Sequence, residues 1–178
     1  YVLDLLEADE GPQFVFDVTL QNHGGYDVGG LSDELAVSVP LGDGSRSSEL
    51  DEYASVIRQA DRDLAYLVDR LNALDRPVVL CFFGDHQPPL KNAVYEQLSG
   101  KPLDQRTTEE VLKQYATPFF LWTNYDIQER EDVVLSPNYL GVLTAKAAGL
   151  PLTGFMSFLS QLYEELPVIT PVGIITGD

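Results

Sequence analysis

The sequence predicts an α/β fold, and three observations carry that expectation. Two continuous apolar runs, residues 13–20 (QFVFDVTL) and 77–83 (PVVLCFF), have the length and the β-branched and aromatic content of buried strands. Between them, residues 48–74 repeat apolar side chains at helical spacing. Each run also ends on a polar loop that carries a histidine, His23 or His86, the only two in the chain.

The first run stops at Gln21-Asn22-His23-Gly24-Gly25-Tyr26. From there to Ser48 the chain is rich in Gly, Ser, Asp and Pro, which predicts a long irregular loop of the kind that carries function in compact domains. Ser48 and Asp51 then have capping-box spacing. Leu50, Tyr53, Ala54, Ile57, Ala60, Leu64, Leu67, Val68 and Leu71 follow on one face of the predicted helix. The run at 77–83 has the unbroken apolar character of a parallel strand covered on both faces. A strand, helix, strand unit of this kind closes by a right-handed crossover and puts both strand carboxyl ends on one sheet edge.

Beyond Pro89, Thr107 and Glu110 predict a capped short helix, and residues 118–123 (PFFLWT) another strand. Residues 138–148 and 155–166 have the apolar spacing of packing helices, separated by Gly149-Leu150-Pro151, and residues 168–175 predict a last edge strand.

The 178 residues, 44% of them hydrophobic, suffice for one domain with a true core. A formal charge of −17 opposes sequence-independent binding to nucleic acid or to an anionic membrane surface and suits a divalent cation. The single Cys81 lies within an apolar run and reads as a small buried hydrophobe. No stretch approaches the roughly 20 apolar residues of a membrane span, and the chain opens at Tyr1 without a leader pattern, reading as the middle of a longer protein.

The chemistry rests on the histidine edge. Asp85-His86 offers a hard oxygen and an imidazole nitrogen to a divalent ion, and Gly84 lets the backbone turn at the strand end. The same residues serve equally as a turn cap and a surface histidine. His23 reads either as a loop histidine bonded to backbone or, beside Gly24 and Gly25, as a phosphate contact. Tyr26, Trp122 and Tyr125 read as packing groups, and Asp17, within the first strand, has no assigned role. The chain has no Gly-x-Ser-x-Gly elbow, phosphate-binding Gly-Lys loop, dinucleotide fingerprint or Cys/His zinc pattern.

Taken together, Phe14-Val15-Phe16-Asp17-Val18-Thr19-Leu20-Gln21-Asn22-His23-Gly24-Gly25-Tyr26 and Phe82-Phe83-Gly84-Asp85-His86 resemble the sulfatase-type catalytic domain of lipoteichoic acid synthases and related phosphoglycerol transferases. Tyr115-Ala116-Thr117-Pro118-Phe119-Phe120-Leu121-Trp122 and Leu135-Ser136-Pro137-Asn138-Tyr139 extend the resemblance over nearly the whole chain. It implies the C-terminal portion of an alkaline phosphatase-like three-layer α/β/α sandwich over residues 1–178, with the nucleophilic Thr and the first acidic metal ligand absent from this chain. It implies that Asp85 and His86 ligate one Mn2+ or Mg2+ and that His23 contacts the substrate phosphate.

The reaction so implied transfers glycerol phosphate from phosphatidylglycerol to a glycan or glycerol phosphate polymer through a phospho-Thr enzyme. The resemblance further implies a full-length protein anchored in the cytoplasmic membrane with its catalytic domain outside, and a fragment that is inactive alone. A half-domain with an uncovered sheet edge would also be prone to self-association. The competing expectations are a sulfatase or phosphoethanolamine transferase of the same superfamily, and a non-catalytic cell-surface module that binds through residues 24–48.

Overall fold

The longest element is α2 (Ser48–Asn72), preceded by a short helix α1 (Val2–Ala8) in the computed structural model, which describes residues 1–26, 29, 34–171 and 173–177. Six residues of the 24–48 loop, 27, 28 and 30–33, lie outside the described set, as does residue 172 of the predicted last strand. The N-cap of α2 is Ser47, whose hydroxyl accepts the Leu50 N–H at 3.4 Å, rather than Ser48. Asp51 is not a reciprocal cap either. Its carboxylate accepts the Val39 N–H at 2.7 Å and the Ser38 hydroxyl at 2.9 Å, and so fastens the loop to the helix.

The chain divides into two units, Tyr1–Ala73 with Pro88–Arg106, and Leu74–Gln87 with Thr107–Asp178. In the first, Leu41, Leu50, Leu90 and Val94 form the buried core, with Tyr26, Val39, Tyr53 and Tyr95 packed against it. Val94 belongs to α3 (Asn92–Ser99), a helix that the sequence does not announce because its N-cap, Lys91, makes no side-chain cap bond. Ser55, buried on α2, accepts the Val37 N–H at 2.8 Å and donates to the Asp51 carbonyl at 2.6 Å. Arg70 of α2 meets Glu7 of α1 at 3.0 Å.

Residues 13–20 correct the first strand expectation. They form no described secondary structure, and Phe14 and Leu20 are 88% and 73% exposed. The composition of a strand is present, but a strand exists only where a neighbour pairs with its backbone, and neither described sheet includes this segment.

The second unit holds β1 (Val79–Phe83), α4 (Thr108–Lys113), β2 (Phe119–Thr123), α5 (Leu140–Ala147), α6 (Gly154–Glu165), β3 (Val168–Thr170) and β4 (Gly173–Ile175). Here the parallel expectation is also corrected: β1 pairs antiparallel with β2, Val79 opposite Thr123 and Phe83 opposite Phe119. An apolar run looks the same in either direction, so its sequence could not choose the partner. Nor is β1 covered on both faces, since Phe82 and Phe83 are part-exposed, with Phe82 stacked on Phe120 at 5.3 Å. The predicted last strand is a hairpin of β3 and β4 instead of one strand.

Asn124 lengthens the β1–β2 pairing by side chain, accepting the Val78 N–H at 2.8 Å and donating to the Leu74 and Arg76 carbonyls. The helix α4 has the predicted capping box: Thr107 Oγ1 accepts the Glu110 N–H, and the Glu110 carboxylate accepts the Thr107 N–H at 2.7 Å. Thr153 caps α6 by accepting the Met156 N–H at 3.2 Å. Buried Leu140, Val142 and Ala145 of α5 pack this helix toward β1 and α6. Cys81 of β1 is half-buried, and burial pushes its thiol up against a smaller opposing bond with Thr144, as a packing residue requires.

Candidate functional site

The Gly-Asp-His segment leaves β1 in the second unit and is clamped by the residues that lead into β2. The Gly84 N–H donates to the Pro118 carbonyl at 3.0 Å, and the Thr117 hydroxyl donates to the Gly84 carbonyl at 2.7 Å. A Cβ on Gly84 would stand 3.1 Å from Thr117 Cβ, closer than two carbons sit without displacement. The glycine is therefore favoured by the neighbouring chain, while its own backbone lies outside the left-handed region that would demand it.

Asp85 and His86 project from this clamp into solvent, with 79% and 64% of their side chains exposed. Asp85 Oδ1 accepts the His86 backbone N–H at 2.9 Å, which fixes the carboxylate and leaves Oδ2 3.4 Å from His86 Nε2. On its other side the His86 ring bonds the Gln87 carbonyl through Nδ1 at 2.8 Å. A carbonyl oxygen can only accept, so Nδ1 carries a proton, and Nε2 is the ring nitrogen that faces Asp85 Oδ2.

In the octahedral shell that Mg2+ and Mn2+ take, neighbouring donors about 2.1 Å from the ion stand about 3.0 Å apart, so this pair would have to close by a few tenths of an ångström to share one. An aspartate oxygen beside an imidazole nitrogen is also a donor set that Mn2+ and Mg2+ accept. Among the described residues no group of three or more His, Cys, Asp or Glu side chains is gathered.

His23 belongs to the first unit. It is exposed, its N–H closes a turn to the Leu20 carbonyl at 3.1 Å, and its Nδ1 faces the Gly24 carbonyl at 3.3 Å, which again leaves Nε2 available. The loop is held by Tyr26, whose hydroxyl donates to the Asn22 carbonyl at 2.6 Å. It is also held by Gly24, where a Cβ would meet Pro89 Cγ at 2.6 Å. Tyr26 rests edge-on against Tyr53, 5.4 Å between centroids, so the packing role expected of it is the one it has. Tyr125 likewise packs and donates to the Ala147 carbonyl at 2.7 Å.

Burial pushes the phenol of Tyr26 up, with Tyr53 and Tyr95 adding to the rise. Burial does the same to Tyr53 and Tyr95. All three bind their protons more tightly folded than unfolded, so their contribution is complete below the unfolded value of about 10 and is lost as pH climbs through the folded values. Denaturant midpoints followed against pH should fall in the alkaline range as the phenols ionise. A midpoint unchanged through the tyrosine titration would count against this packing.

Gln87, whose side chain donates to the Ala116 carbonyl, and Thr117, which fastens Gly84, are not visible as site residues in the sequence. Their signal is long-range backbone bonding, which no local pattern carries.

Comparison with known proteins places the chain among sulfatase-like sequences. The family model described as Sulfatase matches residues 1–150. The "Putative cyclic beta-1,2-glucan modification protein" of Rhizobium meliloti (strain 1021) is 31% identical over 170 residues, 92% of this chain and 26% of that protein. The "Capsular polysaccharide biosynthesis protein RkpI" of the same organism is 34% identical over 92 residues, 49% of this chain and 15% of that protein. The chain thus spans about a quarter or less of the length of these relatives. Among solved structures, the Streptococcus pyogenes phosphoglycerol transferase GacH in complex with sn-glycerol-1-phosphate superposes with a TM-score of 0.67 at 16% identity, over 96% of this chain and 44% of GacH.

Proposed function

Because the chain belongs to the sulfatase family and has the α/β fold of the alkaline phosphatase-like enzymes, we propose that residues 1–178 are the C-terminal part of the catalytic domain of a metal-dependent phosphoglycerol transferase. The observation that carries this reading is the pair of Asp85 Oδ2 and His86 Nε2, 3.4 Å apart and turned outward from a clamped strand end. The donor is a phosphatidylglycerol-type lipid, in keeping with the activity named for GacH. The acceptor is a hydroxyl of a glucan or related polymer, in keeping with the glucan modification named for the Rhizobium relative.

Asp85 and His86 hold Mn2+ or Mg2+, which when bound neutralises charge on phosphoryl oxygens and lowers the pKa of an attacking hydroxyl. With a proton also on Nε2, His23 would donate to a phosphate oxygen, orient the ester and pass that proton to the departing oxygen. In the first displacement a threonine hydroxyl outside this chain would lose its proton and form an O–P bond as the diacylglycerol O–P bond breaks and the departing oxygen is protonated. In the second, the acceptor hydroxyl would form its O–P bond as the threonine O–P bond breaks, its proton passing by way of the site to the released threonine oxygen. The fragment does not turn over alone.

Among the described residues no helix is long and apolar enough to cross a membrane. The membrane anchor of this reading therefore belongs to other parts of the full-length protein, with the catalytic domain on the outer side.

The test is to incubate the full-length protein with phosphatidylglycerol, Mn2+ and a β-glucan, then assay diacylglycerol and the mass of the glucan. Diacylglycerol release with a glycerol phosphate mass increment on the glucan is the expected result. Bound metal without release would redirect the reading to a sulfate ester or phosphoethanolamine substrate, and no metal binding would favour a non-catalytic surface module.

A further inference from the structure

We infer that Gln87 and Thr117 are positioning residues that set the ring tautomer of His86 and the aim of Asp85 toward a divalent cation, an inference that rests on the metal reading above. Both act through backbone. The Gln87 side chain reaches across 29 positions and donates through Nε2 to the Ala116 carbonyl. The Gln87 main-chain carbonyl, held by that tie, receives the His86 Nδ1 proton at 2.8 Å. Next to it, Thr117 fastens the Gly84 carbonyl at 2.7 Å, one residue before Asp85.

Two ties thus join the segment 84–87 to the segment 116–118, one on each side of Asp85 and His86, with the Gly84 N–H to Pro118 bond between the same segments. Without them Asp85 and His86 would sit on an exposed turn, because neither side chain is buried and their side-chain bonds stay within residues 85–87. A free imidazole prefers its proton on Nε2, the nitrogen that a cation needs bare. Presenting Nε2 therefore requires an acceptor at Nδ1, and Gln87 supplies it. Outer partners of this kind are worth about ten- to a hundredfold in metal affinity.

The experiment compares the chain with Gln87→Met, Thr117→Val and Thr117→Ser. Nitrogen-15 shifts of the His86 ring are read in the metal-free protein at a pH where the imidazole is neutral, and Mn2+ affinity by calorimetry. The native ring should be protonated at Nδ1, and Gln87→Met should shift it toward the Nε2–H form and weaken Mn2+ binding about tenfold. Thr117→Val, equal in shape but without the hydroxyl, should also weaken Mn2+ binding, and Thr117→Ser should restore it. Ring signals and affinities that stay native in Gln87→Met and Thr117→Val would overturn the inference. A native chain that binds no Mn2+, while its ring still responds to Gln87→Met, would instead remove the metal reading and leave the tautomer control standing.

Discussion

Alanine at position 85 is expected to reduce metal-dependent turnover of the full-length protein about a hundredfold or more, with little change in stability. Asp85 supplies the only hard oxygen of the pair, through Oδ2, and its Oδ1 anchors the His86 peptide at 2.9 Å. Losing it removes a ligand and loosens the other. A catalytic cation contributes several kcal/mol of charge stabilisation in the transition state, and about 1.4 kcal/mol corresponds to a factor of ten in rate. The side chain is exposed and packs against nothing, so the fold should lose no more than about 0.5 kcal/mol. Asp85→Asn keeps an oxygen for the peptide N–H but not the charge, and should fall between the two. The checks are turnover against Mn2+ concentration and a melting curve for each variant. Native turnover in Asp85→Ala would sink the metal reading.

The largest stability effect should come from Tyr139→Ala, at about 3–5 kcal/mol. Tyr139 ends the short turn Pro137–Tyr139, is 1% exposed, and has its ring 5.3 Å from that of Tyr163. Its hydroxyl donates at 2.7 Å to the carbonyl of Leu166, the C-cap residue of α6, which satisfies one of the acceptors a helix end leaves over. Alanine would remove the ring, leave a cavity, and strand that carbonyl. Tyr139→Phe retains the ring and should cost only about 1 kcal/mol. Trp122, the single tryptophan, lies on β2 in the same unit, so its fluorescence in a denaturant titration reports the loss directly. Equal midpoints for Tyr139→Ala and the native chain would show that this packing is not what holds the unit.

These two residues also show what the sequence discloses. Elements whose cause is local were legible: the amphipathic face of α2, the Thr107 and Glu110 box of α4, the apolar runs of β1 and β2, and the spacing of α6. The start of α2 was placed one residue late because Ser47 and Ser48 are both good caps, and only the bond to Leu50 separates them. Pairing was not legible. Residues 13–20 have strand composition without a described partner, and β1 found an antiparallel neighbour 36 or more positions on, because propensity is local and partnership is not. The helices α1 and α3 lack side-chain caps and so gave no starting signal. Asp85 and His86 could be proposed from sequence since they are adjacent beyond a recognisable run. The residues that aim them could not, because Gln87 and Thr117 act through carbonyls that any amino acid would supply.

The contact between Gly84 and Thr117 bears on how such sites can be sought in other chains. In the reading proposed above only the second and third letters of Gly-Asp-His answer to a cation; the first answers to a β-branched residue 33 positions later, whose Cβ would stand 3.1 Å from any carbon added at Gly84. A three-letter search mixes a chemical demand with a steric one and retrieves turns that satisfy neither. A paired query, glycine before the aspartate and a small hydroxyl residue just ahead of the returning strand, tests the packing and the chemistry separately. A side chain at the first position would be accommodated only with a smaller residue or a shift at the second, so the two places form a single compound character in the sequence.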